Sequence, residues 1–208
     1  GNGAVHPGLR AGLPNLLTGG VVVIPVSTTL PALSDPATRV DGTTQTANVG
    51  DSNPGTMGSG GTVGVDLLAL PAVARPEVEI RDGATLALGL DLQGGGGAVL
   101  GIAVTGFGNL PGNDAHANVR VGAAAAGVLI ERCVLGTGAS AFADPGPGAR
   151  SGGDNVRAIG GDTGIIRNCL IGFAAGNGIA LTGASNSWQV LECEVRGNDL
   201  TGIAVHIG

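Results

Sequence analysis

Three segments of the sequence share one pattern around a cysteine: IERCVLG (130–136), IRNCLIG (166–172) and VLECEVRG (190–197). In each segment a branched apolar residue stands three positions before the cysteine and another apolar residue two positions after it, and a glycine soon follows. A degenerate earlier copy, VLGIAVTG (99–106), has Ile102 in place of the cysteine. A unit that recurs at a regular interval in a glycine-rich chain indicates a repeat architecture.

The four copies are 31, 36 and 24 residues apart. A step of 24 residues suits one coil made of three short strands and three bends. The longer step of 36 contains a Gly/Pro/Ser/Ala-rich stretch near 136–153, which predicts a loop insertion. Further short strand candidates lie between the cysteines, each bounded by glycine, asparagine or aspartate: 119–121, 156–159, 178–181 and 202–205.

This periodicity predicts an all-β protein, a single-stranded right-handed parallel β-helix (solenoid) in which equivalent residues of successive coils stack about 4.8 Å apart. The alternative is an antiparallel sandwich, which does not explain why one thiol position returns three times. Stacking would place Ile102, Cys133, Cys169 and Cys193 in one inward ladder. Three interpretations of the cysteines stay open: buried free thiols, a disulfide between two of them, or a metal or catalytic thiol.

The composition excludes several classes of protein. The chain of 208 residues has 41 glycines and 11 prolines, and only 12% of it is charged and 2% aromatic, which argues against a helical protein. The net charge of −6 is spread thinly and no basic cluster occurs, so nucleic acid is not an expected partner. The apolar runs, such as 21–26, are far shorter than the roughly 18 residues of a membrane-spanning helix. We expect a protein that does not span a membrane.

The first part of the chain carries a second signal. A strand candidate at 21–26 is followed by LPAL (30–33), Asp35-Pro36 and DGTTQ (41–45). This run resembles the opening coils of right-handed parallel β-helix regions in large bacterial secreted and surface proteins. The resemblance implies an extracellular or cell-surface location and an irregular N-terminal cap. It departs from the family at the ladder, where cysteine stands in place of the usual asparagine.

The expected organisation is one continuous domain. Residues 1–62 would form the N-terminal cap and first coils, with a polar loop at 46–62, and residues 63–208 the remaining coils, with the loop insertion near 136–153. The sequence closes on GIAVHIG (202–208), a strand without a cap. Such an uncovered coil predicts contact with copies of the protein or with further coils of a longer chain.

Catalytic candidates are few. β-Helix enzymes that cleave polysaccharides resemble one another in clustering carboxylates on adjacent coils, since one group donates a proton while another assists water. Here the aspartates stand singly, and Asp114 with His116 is the nearest approach to an acid–base pair. The alternative is a bend aspartate beside a solvated histidine.

Metal and sugar sites are equally sparse. Asp51, Asn53 and Asp154 lie in predicted loops and could offer oxygen ligands to calcium, but they lack the aspartate spacing of an EF-hand loop, and turn formation is the alternative. No cofactor is expected. Trp188 is interpreted either as a cover over the final coils or as an aromatic surface on which a sugar ring could stack. His6 and His206 have no visible partner.

These observations predict a non-enzymatic extracellular structural module. It would stack head to tail into a filament or form the shaft of a surface protein. One alternative is a polysaccharide-binding or polysaccharide-cleaving protein, similar to pectate lyases, with a groove beside loops 108–118 and 136–153. The other is an adhesin.

Overall fold

The computed structural model describes residues 17–206, which are built mostly of β-strands with one short helix, α1 (Thr43–Val49). The strands, in chain order, are β1 (Leu17–Thr18), β2 (Val21–Val26), β3 (Arg39–Asp41), β4 (Thr56–Met57), β5 (Thr62–Val63), β6 (Leu68–Ala69), β7 (Val73–Ala74), β8 (Val78–Asp82), β9 (Leu88–Leu92), β10 (Ala98–Leu100), β11 (Ala103–Thr105), β12 (Ala117–Val121), β13 (Leu129–Glu131), β14 (Val134–Leu135), β15 (Asp154–Ile159), β16 (Ile165–Arg167), β17 (Leu170–Gly172), β18 (Ile179–Thr182), β19 (Gln189–Leu191), β20 (Glu194–Arg196) and β21 (Ile203–His206).

Most strands belong to three stacked sheets, which are parallel apart from the antiparallel pair β1–β2. Sheet A has the order β1-β2-β8-β11-β14-β17-β20, sheet B the order β9-β12-β15-β18-β21, and sheet C the order β3-β10-β13-β16-β19. From β10 onward the chain visits sheets C, A and B in the same order four times. We call these passages coils 1 to 4: β10–β12, β13–β15, β16–β18 and β19–β21. The all-β, parallel part of the prediction is confirmed.

The interior is a stack of apolar rows, one residue per coil. In sheet C, Val99 pairs with Ile130 and Ile130 with Ile166, and all three are fully buried. Sheet A contributes the row Val104, Leu135 and Ile171 in the same way. Because each side chain packs on its equivalent in the next coil, a recurring branched residue fills the core of every coil.

A sharp bend joins sheet C to sheet A in every coil. The first residue of the bend has a left-handed backbone, at Gly101 (φ 57°), Arg132 (54°), Asn168 (52°) and Glu192 (51°). The next residue is Ile102 or one of the three cysteines. The regular return of the thiol in the sequence therefore marks one bend of the fold.

Two parts of the sequence-based organisation differ from the structure. Residues 46–49, predicted as loop, lie in helix α1, whose start is stabilised by the Asp41 carboxylate, which accepts the Thr43 N–H (2.9 Å). The division between residues 62 and 63 falls inside β5. That strand forms an antiparallel pair with β6, as β4 does with β7. Local capping and hairpin pairing, which the repeat pattern does not register, explain both differences.

Residues 50–76, which we call the strap, lie along the outer face of sheet A. Met57 and Val73 of the strap are buried in a second apolar cluster with outward residues of sheet A, including Val134 and Leu170. Ala139 and Phe142, from the loop predicted near 136–153, are buried in the same cluster. Sheet A is therefore covered on both faces. Within residues 17–206, no helix is long and apolar enough to cross a membrane.

Candidate functional site

The cysteine row runs through the bends of coils 2 to 4. Cys133 and Cys169 are buried, and Cys193 in coil 4 is half-buried; all three are free thiols. Each sulfur lies near the carbonyl oxygen of the residue two positions before it, at 3.3 Å for Cys133 and 3.2 Å for Cys169 and Cys193. Ile102, in coil 1, is buried at the equivalent bend.

The thiols differ in their electrostatic setting. Burial raises the pKa of Cys169, and hydrogen bonds with the neighbouring thiols act in the same direction. The pKa of Cys193 is lowered, chiefly by a hydrogen bond from the Cys169 side chain, against the opposing effect of burial. Negative charge is therefore favoured at Cys193 over Cys169, because burial raises the pKa of Cys169 while the pKa of the half-buried Cys193 is lowered.

Coil 4 is the outermost coil among residues 17–206, and some of its apolar residues are exposed. Ile203 is 44% exposed and Val205 is 53% exposed, although their partners in the row one coil earlier, Ile179 and Leu181, are buried. The strands β19, β20 and β21 each form the last strand of their sheet. Within residues 17–206, coil 4 thus presents a sheet edge and an apolar face together.

An open cleft of about 830 Å³ lies between coil 4 and the strap. Its walls are mostly apolar, with Val63 and Leu68 on the strap side and Val190, Cys193 and Ile203 on the coil side. The strap is held at this end by Glu194, whose carboxylate accepts hydrogen bonds from Ser59. At its other end the Ser52 hydroxyl donates to the Gly20 carbonyl oxygen (2.7 Å).

The structure does not show Asp114 and His116 acting on each other. The Asp114 carboxylate accepts a hydrogen bond from the Nε of Arg157 (2.9 Å). Nδ1 of His116 accepts the backbone N–H of Asn109 (3.2 Å). Both candidates therefore have structural partners of their own.

Asp154 is fully buried at the start of β15. Its carboxylate accepts hydrogen bonds from Arg157 (2.7 Å) and from the backbone and side chain of Asn177 (2.7 and 3.0 Å). The pKa of Arg157 is raised by its two aspartate partners, although burial opposes this. Asp154 consequently serves as the internal counter-ion of Arg157.

Asp51 and Asn53 form a local turn. The Asp51 carboxylate accepts the Asn53 N–H (3.2 Å), and the Asn53 amide donates to the carbonyl oxygens of Pro76 (2.7 Å) and Ala139 (2.9 Å). Asn53 thereby ties the strap to the loop insertion. Among residues 17–206, no three His, Cys, Asp or Glu side chains converge as a metal site would require.

A buried asparagine cluster was missed by the sequence analysis. Asn118 and Asn155 occupy the same register position in β12 and β15, and the Asn118 amide donates to the Asn155 side-chain oxygen (2.7 Å). The Asn155 amide donates to Gly172 O (3.0 Å) and to the Asn198 side-chain oxygen (3.2 Å). A signal was present: the tripeptide Asn-Val-Arg occurs at both 118–120 and 155–157.

Trp188 lies on the backbone of Gly164, and its indole N–H donates to the Gly161 carbonyl oxygen. One face of the ring is thus occupied by the protein itself. His206 is exposed at the end of β21, and His6 lies outside the described residues.

The two loops proposed to flank a groove meet backbone to backbone. A Cβ built on Gly108 would lie 2.4 Å from the nitrogen of Gly153, so only glycine allows this approach. Contact at that point joins the first residue of one loop to the last residue of the other. No family model, curated protein or solved structure matches the chain.

Proposed function

We propose that this chain is a non-enzymatic structural module, a right-handed parallel β-helix that elongates by stacking coils on its last coil. We further propose that it works outside the cell or at the cell surface, as a filament subunit or a shaft. The observation that carries the proposal is the open apolar face of coil 4, whose inward residues match the rows that coils 1 to 3 bury.

The partner we propose is a second copy of the chain, stacked head to tail. Sheet C supports this choice because, among residues 17–206, β3 is its outer strand at one end and β19 at the other. Val40 and Val190 belong to the same row of that sheet. A copy that places its β3 beside β19 would therefore continue the row in register, and such unlike surfaces generate an open fibre.

The polysaccharide-cleaving alternative has less support. A hydrolytic pair needs carboxylates free to exchange protons with the substrate and water. Asp114 and Asp154 both contact Arg157 instead, and Asp154 is inaccessible to a polymer. Their arrangement is that of groups that hold neighbouring coils together.

The test is a concentration series followed by sedimentation velocity and electron microscopy. The wild-type chain should form particles that lengthen with concentration. Ile203→Asp, at the last coil, and Val40→Asp, at the opposite end, should each block elongation, because a charge would be buried in the contact. Leu110→Asp is the matched control, since Leu110 is exposed away from both ends.

Mixing the two blocked variants tests the head-to-tail geometry. Each retains one intact face, so an equimolar mixture should yield a dimer with one copy of each and nothing longer. A two-fold contact between last coils would instead make Val40→Asp dimerise alone. A wild-type chain that stays monomeric at millimolar concentration would overturn the self-stacking proposal.

A further inference from the structure

Cys193 is the one cysteine of the row that lines the open cleft. It lies in the last bend, where the coil has no following coil within residues 17–206 to cover its sulfur. Cys133 and Cys169 are fully buried behind it. A small reagent in the cleft therefore reaches Cys193 before either of the other thiols.

Cys169 lies directly behind Cys193, at the equivalent bend of coil 3. Residues in register on neighbouring parallel strands have Cα atoms about 4.8 Å apart, inside the range of about 4.4–6.8 Å that a disulfide accepts. The strands that flank the two bends are paired in register, Ile166 with Val190 on one side and Leu170 with Glu194 on the other. The fold thus sets the Cα atoms of the two cysteines at a spacing that a disulfide accepts.

The local environment favours Cys193 as the attacking sulfur. Cys193 is only half-buried and its pKa is lowered, chiefly through its side-chain interaction with Cys169, whereas burial raises the pKa of Cys169. A reactive thiol beside a protected second thiol is the arrangement that thiol oxidation to a disulfide requires.

We propose that Cys193 is an oxidation site for hydroperoxides and that Cys169 is its resolving thiol. The Cys193 sulfur attacks one peroxide oxygen, the O–O bond breaks, and the leaving oxygen departs as an alcohol, or as water when the oxidant is hydrogen peroxide. This step oxidises Cys193 to the sulfenic acid. The Cys169 sulfur then attacks the Cys193 sulfur, the S–O bond breaks, and the hydroxyl leaves as water with the thiol proton.

The net change converts two thiols and one hydroperoxide into one disulfide, one alcohol and one water. The product would link coil 3 covalently to coil 4. The inference stands independently of the stacking proposal, but a copy docked on coil 4 would cover Cys193. The experiment therefore uses dilute protein shown to be monomeric by sedimentation, or Val40→Asp, which is altered at the opposite end from the cleft, if the wild-type chain assembles.

The test exposes this protein to hydrogen peroxide and maps the products by mass spectrometry of intact chain and peptides. Wild-type protein should lose two hydrogen atoms and yield a 169–193 linked peptide. Cys169→Ser should stop at the sulfenic acid, which a 1,3-dione traps on Cys193. Cys133→Ser should behave as wild type, and Cys193→Ser should lose thiols at least about tenfold more slowly.

Two results would overturn the proposal: a wild-type chain in which Cys193 stays reduced while the protein remains folded, or a linked peptide that contains Cys133 in place of Cys193. Both are read from protein that carries all three native cysteines, so neither depends on whether a cysteine variant folds. Circular dichroism recorded before and after oxidation verifies the fold.

Discussion

The carboxylate of Glu194 in coil 4 accepts hydrogen bonds from the backbone N–H (2.8 Å) and the hydroxyl of Ser59, which lies 135 positions earlier in the chain. Glu194 is buried and also contacts the Arg196 guanidinium (2.9 Å). These contacts fasten the strap to the outermost coil. The strap thereby links the two ends of sheet A, since Ser52 is bonded to Gly20 near the opposite end.

Removing this acceptor should release the strap from coil 4. Glu194→Ala removes the charged acceptor of the Ser59 N–H and hydroxyl, and hydrogen bonds to charged groups contribute about 1.5–3 kcal/mol, so we expect a loss of up to that size in the free energy of unfolding. Urea denaturation measures the loss, and amide exchange at Ser59 should accelerate. The control is Glu192→Ala, at an exposed position, which should change stability by less than about 0.5 kcal/mol. Equal effects of the two variants would show that Glu194 does not hold the strap.

The parallel coils could be predicted from the sequence because equivalent residues of successive coils pack on each other, and this requires the same residue pattern in every coil. A branched residue three positions before each cysteine lies in sheet C, and the apolar residue two positions after it lies in sheet A. Both face the core, so the pattern records direct contact between equivalent residues such as Ile130 and Ile166.

The strap could not be predicted in this way. Its contacts, such as Ser59 with Glu194, join segments that share no repeat and no local turn. The outward apolar residues of sheet A, Val134 and Leu170, were a signal that a second layer covers that sheet. The repeat pattern reports only which residues face the core. It carries no information on the segment that covers the outer face, because that segment is held by long-range packing.

A second prediction concerns the buried ion pair of coil 2. Arg157 is the only cation bonded to the fully buried Asp154 among the described residues, and its own side chain is 10% exposed. Arg157→Met would leave an uncompensated buried carboxylate, and breaking such a pair typically costs about 3–5 kcal/mol. Thermal denaturation should reveal the loss.

The matched control is Arg132→Met, because the Arg132 side chain is 63% exposed and its pairing with Glu131 is long, at 3.7 Å. A surface pair of this kind contributes about 0–1 kcal/mol. Adding Asp154→Asn to Arg157→Met should recover part of the stability, since the buried charge is then removed. A double variant no more stable than Arg157→Met would contradict the charge-based explanation.

The asparagine cluster yields a third prediction. Asn155 is fully buried and connects Asn118, Gly172 and Asn198 by side-chain hydrogen bonds. Asn155→Ala would remove one acceptor of the Asn118 amide, which keeps its bond to Ser151, and the side-chain donor to the Gly172 carbonyl, and a buried group left unsatisfied costs about 1–3 kcal/mol. Chemical denaturation should show a clear loss in the free energy of unfolding for Asn155→Ala. The control is Asn109→Ala, at an exposed asparagine in the adjacent loop, which should show almost no loss. A small effect at Asn155 would mean that water replaces its partners.

The last prediction tests whether the loop after β14 is part of the packed structure. Phe142 is buried against Phe173, with ring centroids 5.4 Å apart, and the Arg196 guanidinium lies 4.8 Å from its ring centroid. Phe142→Ala should lower the free energy of unfolding by about 3–5 kcal/mol, the usual cost of deleting a buried aromatic ring. Leu110→Ala, at a loop residue that is 52% exposed, is the control and should have little effect. If the two variants proved equally stable, the loop would be an unpacked insertion, and the strap residues Met57 and Val73 would remain to cover the outer face of sheet A.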